Sequence, residues 1–201
     1  MAPPTHTADL LTAILAGAVD DPAAVAATLI DDFGTLGQVL AASRKRLARI
    51  AGDGAAKRIA AIDAAVRQTL FDRASERPIV TDWQALLDYA RGTLQHLRTE
   101  QVRLLHLDGR NKLIRDELLS AGTIDEATLY VREVISRSLE IGSAAIILLH
   151  NHPSGDPTPS RSDIAITRTI KAAAEACRIT LHDHLIVATS GHFSLRAHGY
   201  I

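Results

Sequence analysis

His150 and His152 stand two residues apart at the end of a short apolar run, Ala144 to Leu149. In extended backbone, residues i and i+2 lie on one face, so both imidazoles leave the strand together. That is a ready bidentate site for zinc. A third group follows on the next helix. Asp163, Ile166, Ile170, Ala173 and Cys177 fall on one helical stripe, and four of the five are apolar. The stripe therefore faces a core, and Asp163 with it. A carboxylate turned inward needs a partner, because a buried unpaired charge is costly. A cation held by the two histidines would supply it. Two imidazoles and one carboxylate leave a tetrahedral zinc one position for water, which is the pattern of a catalytic site.

A plainer reading stands beside this one. Ser160-Arg161-Ser162-Asp163 also has the form of a helix cap, with Ser160 as N-cap and Asp163 three residues on. The two readings are compatible: Ser160 can start the helix while its hydroxyl faces a metal. Asn151 and Asp156 read as turn formers in the Pro/Gly-rich loop from Asn151 to Pro159. Cys177 reads as a small core residue on the inward stripe.

The order His150-x-His152, seven residues, Ser160, two residues, Asp163 resembles the JAMM (MPN+) zinc metalloprotease motif. The words HNHPSGDPTPSRSDI and LHDHLIV are similar to the RadC-like branch of that JAB-domain superfamily, over roughly residues 80–201. The resemblance implies zinc held by His150, His152 and Asp163, with Ser160 stabilising the oxyanion of a tetrahedral intermediate. It also implies a catalytic glutamate on an earlier strand before a Gly-Thr step. Glu117 occupies that position, ahead of Gly122-Thr123. Spacing alone does not single it out, since Glu126, Glu133 and Glu140 compete equally, and its plain reading is a solvated strand residue. His182-Asp183-His184 resembles the branch's Asp-His step. It could orient a ligand imidazole, although a structural role is simpler.

These residues need elements to hold them. Strand-like runs cover Gln101 to Leu107 and Lys112 to Leu119, around the turn-rich Asp108-Gly109-Arg110-Asn111. Helices are expected over about 81–96, 131–141 and 161–177, with strands over 144–150, 180–188 and 192–196. The first seventy or so residues are Ala-rich and read as short helices, about 8–18, 22–33, 35–49 and 55–73. Ser75 to Pro78 reads as a linker. The expected fold class is α/β: an MPN-type, cytidine-deaminase-like mixed sheet flanked by helices over 80–201, behind a small all-α module over 1–75. Within that module, Leu47 to Arg58 resembles a helix-hairpin-helix element whose Gly52-Asp53-Gly54 turn would offer N–H groups to a phosphate. Asp53 opposes that use, and a helical scaffold with solvated basic residues is the simpler reading.

The 201 residues allow one large domain or two small ones, and 47% hydrophobic with 22% charged residues excludes a disordered chain. The net charge of −1 draws the chain onto neither nucleic acid nor anionic membrane. One cysteine excludes an internal disulfide and a multi-cysteine zinc cage. It also excludes a zinc deaminase, which needs a Cys pair. Leu10 to Val19 lacks the basic flank of a secretory signal, so a cytoplasmic protein is expected. The expected function is a zinc-dependent metallohydrolase cleaving peptide or isopeptide bonds. The alternatives are a DNA-associated binding module and a zinc phosphodiesterase or nuclease. Expected partners are a protein or peptide substrate and no membrane, with weak DNA binding through the N-terminal module and a homo-oligomer as further options.

Overall fold

The computed structural model describes residues 5–122 and 129–201. The chain divides into two compact units, Met1–Thr69 and Leu70–Ile201. The first is helical: α1 (Thr5–Leu15), α2 (Pro22–Phe33), α3 (Leu36–Leu40) and the first part of α4 (Arg44–Glu76). Asp21 caps α2 by accepting from the Ala24 N–H. Thr35 and Gln38 close a reciprocal capping box on α3. The core of this unit includes Leu11, Leu29, Phe33, Leu47 and Ile59.

Two expectations change here. The helix expected over 35–49 is split, with α3 ending at Leu40 and α4 beginning at Arg44. The stretch read as a linker is partly helical, since α4 runs on through Ser75 and Glu76 before Pro78 stops it. The division between the units falls inside α4. Gly52 breaks that helix with φ 80° and ψ 163°, a backbone conformation that side chains resist.

The second unit is built on a five-stranded mixed sheet in the order β2-β1-β3-β4-β5. The strands are β1 (Gln101–Leu107), β2 (Leu113–Ala121), β3 (Ala145–Asn151), β4 (Thr180–Ala188) and β5 (Gly191–Ser194). β1 runs antiparallel to both β2 and β3, while β3 and β4 are parallel. Every residue of β3 is buried, which explains its unbroken apolar run. One face packs Leu105, Leu107, Ile147 and Leu149 against Leu86, Ala90 and Leu94 of α5 (Trp83–Leu94). The other packs Val102, Leu104, Ile146 and Leu148 against Val134 of α6 (Val131–Ile141) and Ile170 and Ala174 of α7 (Arg161–Ala176). The sheet is therefore the middle layer of a helix–sheet–helix sandwich. The β3–α7–β4 crossover brings the carboxyl end of β3 to the start of α7, where open α/β sheets place ligands. Among the described residues, no helix is long and apolar enough to cross a membrane.

Candidate metal centre

β3 delivers His150 and His152 at its carboxyl end, with ring centroids 4.8 Å apart. Ser160 caps α7: its hydroxyl accepts from the Asp163 N–H, and the Asp163 carboxylate accepts from the Ser160 N–H in return. That reciprocal cap fixes the Asp163 side chain toward the histidines. The buried stripe of α7 is Asp163, Thr167, Ile170 and Ala174. Asp163 Oδ1 lies 3.4 Å from His150 Nδ1, and Oδ2 lies 3.7 Å from His152 Nε2. The structure thus gathers His150, His152, Ser160 and Asp163 in one place. The Ser160 hydroxyl donates to Asp163 Oδ2 at 2.6 Å, so the cap and the site share one group.

Glu117 is not gathered with them. On β2 it pairs with Leu104, two residues along from the Val102–His150 pair and two strands away from β3. Its carboxylate accepts from Arg137 Nε at 2.9 Å and Nη2 at 2.5 Å, and pairs with Arg115 at 3.0 Å. The hydrogen bond from Arg137 holds its carboxyl below the usual range. Glu117 lines a separate pocket with Leu118, Leu119, Glu133, Ser136 and Arg137. Among the competing acids, Glu133 lines the same pocket and Glu140 pairs with Arg137, while Glu126, like Thr123 of the Gly-Thr step, lies outside the described residues.

A second carboxylate beside the histidines is that of Glu100, just ahead of β1, which the patterning of the sequence does not single out. Glu100 Oε1 accepts from His150 Nε2 at 2.6 Å. Ligand atoms of Glu100, His150 and His152 all lie within 4.8 Å of one another. The signal that could have found it is topological. Where two neighbouring strands run antiparallel, the start of one meets the end of the other. An acid entering β1 therefore meets the His pair leaving β3.

The donor set fits a metal cation. His152 Nδ1–H donates to the Asp156 carbonyl at 2.9 Å, so its Nε2 carries the lone pair toward the site. His150 Nδ1 is buried and makes no hydrogen bond. With Nε2–H given to Glu100, a neutral ring would set the Nδ1 lone pair against the Asp163 carboxylate. A cation removes that conflict. Burial opposes a charge on His150, but Asp163 and Glu100 outweigh it and raise its pKa to about 9. Burial likewise opposes ionisation of Asp163, yet His150, His152 and Ser160 hold it well below the usual range. Both shifts report one feature, two carboxylates facing a nearly buried imidazole.

His184 of β4 stacks on His150 with centroids 5.8 Å apart. The Thr167 hydroxyl donates to the Asp163 carbonyl, so His184 Nδ1 must donate to Thr167, at 2.6 Å. Burial, then the nearby His150, push the pKa of His184 down to about 3. It is a neutral ring that props His150 and Asp163. Asp183 accepts from Ser194, the His184 N–H and the Arg196 N–H, which ties β4 to the C-terminal turn. His182 donates to Asn111 Oδ1 at 2.6 Å. Two minor readings are corrected. Cys177 is exposed, because α7 ends at Ala176 and the residue leaves the stripe. Asn151 is fully buried and is no turn residue.

A mixed sheet between helices, with a histidine pair at one strand end and carboxylates on two sides, has a hydrolase-like fold with a candidate metal site. The chain belongs to the RadC-like JAB domain family, whose model matches residues 80–200. It is 45% identical to a UPF0758 protein of Rhodobacter capsulatus over 197 residues, 96% of this chain and 92% of that protein. It is also 45% identical to a UPF0758 protein of Ruegeria pomeroyi over 179 residues, 88% of this chain and 80% of that protein.

Proposed function

We propose that this chain is a zinc-dependent hydrolase of amide bonds, a metallopeptidase or isopeptidase. His150, His152 and Asp163 would hold the zinc, and Glu100 would carry the proton. The observation that supports this most is the gathering of Glu100 with the histidine pair: ligand atoms of Glu100, His150 and His152 lie within 4.8 Å of one another. When bound, zinc supplies Lewis acidity: it makes water acidic near neutral pH and draws charge from a carbonyl oxygen. Glu100 takes a proton from the attacking water and hands it to the departing amine. Asp163 and the Asp156 carbonyl fix the two imidazoles. The Ser160 hydroxyl turns from Asp163 to donate to the oxyanion that forms on the carbonyl.

The local charge suits a neutral carbonyl better than a phosphate. The loop from Asn151 to Pro159 contains no Lys or Arg, whereas phosphoryl transfer rewards cations around the phosphate. Zinc-loaded protein is therefore expected to cleave members of labelled peptide and isopeptide libraries and to leave single- and double-stranded DNA intact. Nucleic-acid cleavage without any amide hydrolysis is the result that sinks this reading.

DNA is at most a weak partner. Asp53 pairs with Arg44 at 2.7 Å and Lys57 at 3.0 Å, and Arg46 pairs with Asp32. Arg58 donates to the Ile14 and Ala16 carbonyls. These contacts occupy four basic groups that a phosphate would need. Asp53→Asn should raise duplex affinity severalfold at low salt, with the gain fading as salt rises. Fluorescence anisotropy across a salt series checks this. Unchanged affinity in the variant would show that the Asp53 pairs do not compete with phosphate.

A further inference from the structure

The middle residue of the His-Asn-His segment has no role in the chemistry described so far, and its geometry gives it one. Asn151 is fully buried. Its backbone pairs with Val187 of β4, leaving its side chain for the opposite neighbour. There the side chain makes two hydrogen bonds. Oδ1 accepts from the Gln101 N–H at 2.8 Å, and Nδ2 donates to the Thr99 carbonyl at 3.1 Å. Thr99 and Gln101 are the two residues that flank Glu100. The Glu100 carbonyl is held separately, by the Gly122 N–H at 3.1 Å.

The β1–β3 ladder ends at the Val102–His150 pair. One more step of that register would set Gln101 against Asn151, and the next would set Glu100 against His152. The Asn151 carboxamide, with a donor nitrogen on one side and an acceptor oxygen on the other, continues the ladder where the backbone no longer does. We propose that Asn151 is a positioning residue: it clamps the backbone on both sides of Glu100 and so aims the carboxylate at His150. This rests on Glu100 being the proton carrier proposed above. Only a carboxamide can give and accept at once here. Aspartate keeps the acceptor for Gln101 but sets an oxygen against the Thr99 carbonyl, and alanine loses both bonds.

The test reads the aim of Glu100 in metal-free protein, prepared with chelator, by the ring N–H protons in its proton NMR spectrum. A short bond from His150 Nε2–H to a carboxylate gives a downfield, exchange-protected signal, assigned by its loss in Glu100→Ala. The His182 N–H, bonded to Asn111, serves as the control in the same spectrum. Asn151→Ala and Asn151→Asp are each expected to lose the His150 signal and keep that of His182. Asn151→Asp matches the native side chain in size and covers the case in which the alanine variant fails to fold. A His150 signal unchanged in a folded variant overturns the proposal. So does loss of both signals together, which would make Asn151 a support of the fold alone. Zinc uptake by the wild type is measured apart. Protein that takes up no zinc but shows the expected pattern ends the hydrolase reading and supports the clamp.

Discussion

Glu100→Gln is expected to fold, to take up zinc, and to lose amide hydrolysis by about 10²–10⁴-fold, the usual worth of a positioned proton carrier. The amide is nearly the same size and can still accept from His150 Nε2–H, but it cannot hold the water's proton. Glu117→Gln should behave in the opposite way, with turnover close to wild type and the loss taken in stability. Its carboxylate, 14% exposed, is the shared acceptor for Arg137 and Arg115. Weakening those charged hydrogen bonds should lower stability in chemical denaturation by about 1 kcal/mol or less, because both arginines are more than a third exposed and screened by solvent. The sign with pH follows from the Arg137 bond, which lowers the Glu117 pKa below its ordinary value of 4.5. The contribution is full above 4.5 and is lost as pH falls through the lowered value. A Glu117→Gln protein that is stable but inactive, beside an active Glu100→Gln, would reverse the two assignments.

The exchange of these two glutamates shows what the sequence carries and what it does not. His150, His152, Ser160 and Asp163 are local to one strand, one loop and one helix start, so period 2 and period 3.6 suffice to bring them together. The apolar run over β3 and the Gly/Pro punctuation mark the elements of the second unit to within a few residues. Glu100 is different. It reaches His150 only because β1 pairs antiparallel with β3 and places its first residues beside the end of that strand. Strand order and direction are tertiary facts with no periodic trace in the chain. Glu117 misleads for the same reason. Its position before Gly122 fits the pattern that the family resemblance implies, but the β1–β2 register faces it toward Arg137 of α6. Asn151 reads as a turn former because polar residues beside Pro and Gly usually are. Its burial depends on the ladder it completes.

Zinc uptake is expected to release about one proton per metal between pH 7 and 8, with apparent affinity rising about tenfold per pH unit until it levels near pH 9. The proton in question is on His150. Burial disfavours it, but Glu100 at 2.6 Å and Asp163 at 3.4 Å bring its pKa up from 6.5 to about 9. Proton and metal therefore compete for His150 Nδ1, the nitrogen that faces Asp163, while Nε2–H stays with Glu100. His184 adds no charge to the balance, because burial keeps its ring neutral. The consequence for stability has a definite sign. A histidine whose pKa is raised on folding stabilises the metal-free protein fully below 6.5, and that contribution is lost as pH rises through about 9. The lowered pKa of Asp163 works the other way, present above 3.8 and lost as pH falls. Metal-free protein should thus soften toward pH 9, where zinc binds best, and the rise in Tm on adding zinc should grow from pH 6.5 to 9. Calorimetric titration in buffers of different ionisation enthalpy counts the protons, and thermal melts with and without zinc follow the stability. The His150→Ala/His152→Ala double variant should show neither uptake nor a zinc-dependent shift. Zinc affinity that stays flat from pH 6.5 to 9 would mean that His150 is already neutral, and that no cation occupies the space between Glu100 and Asp163 before the metal arrives.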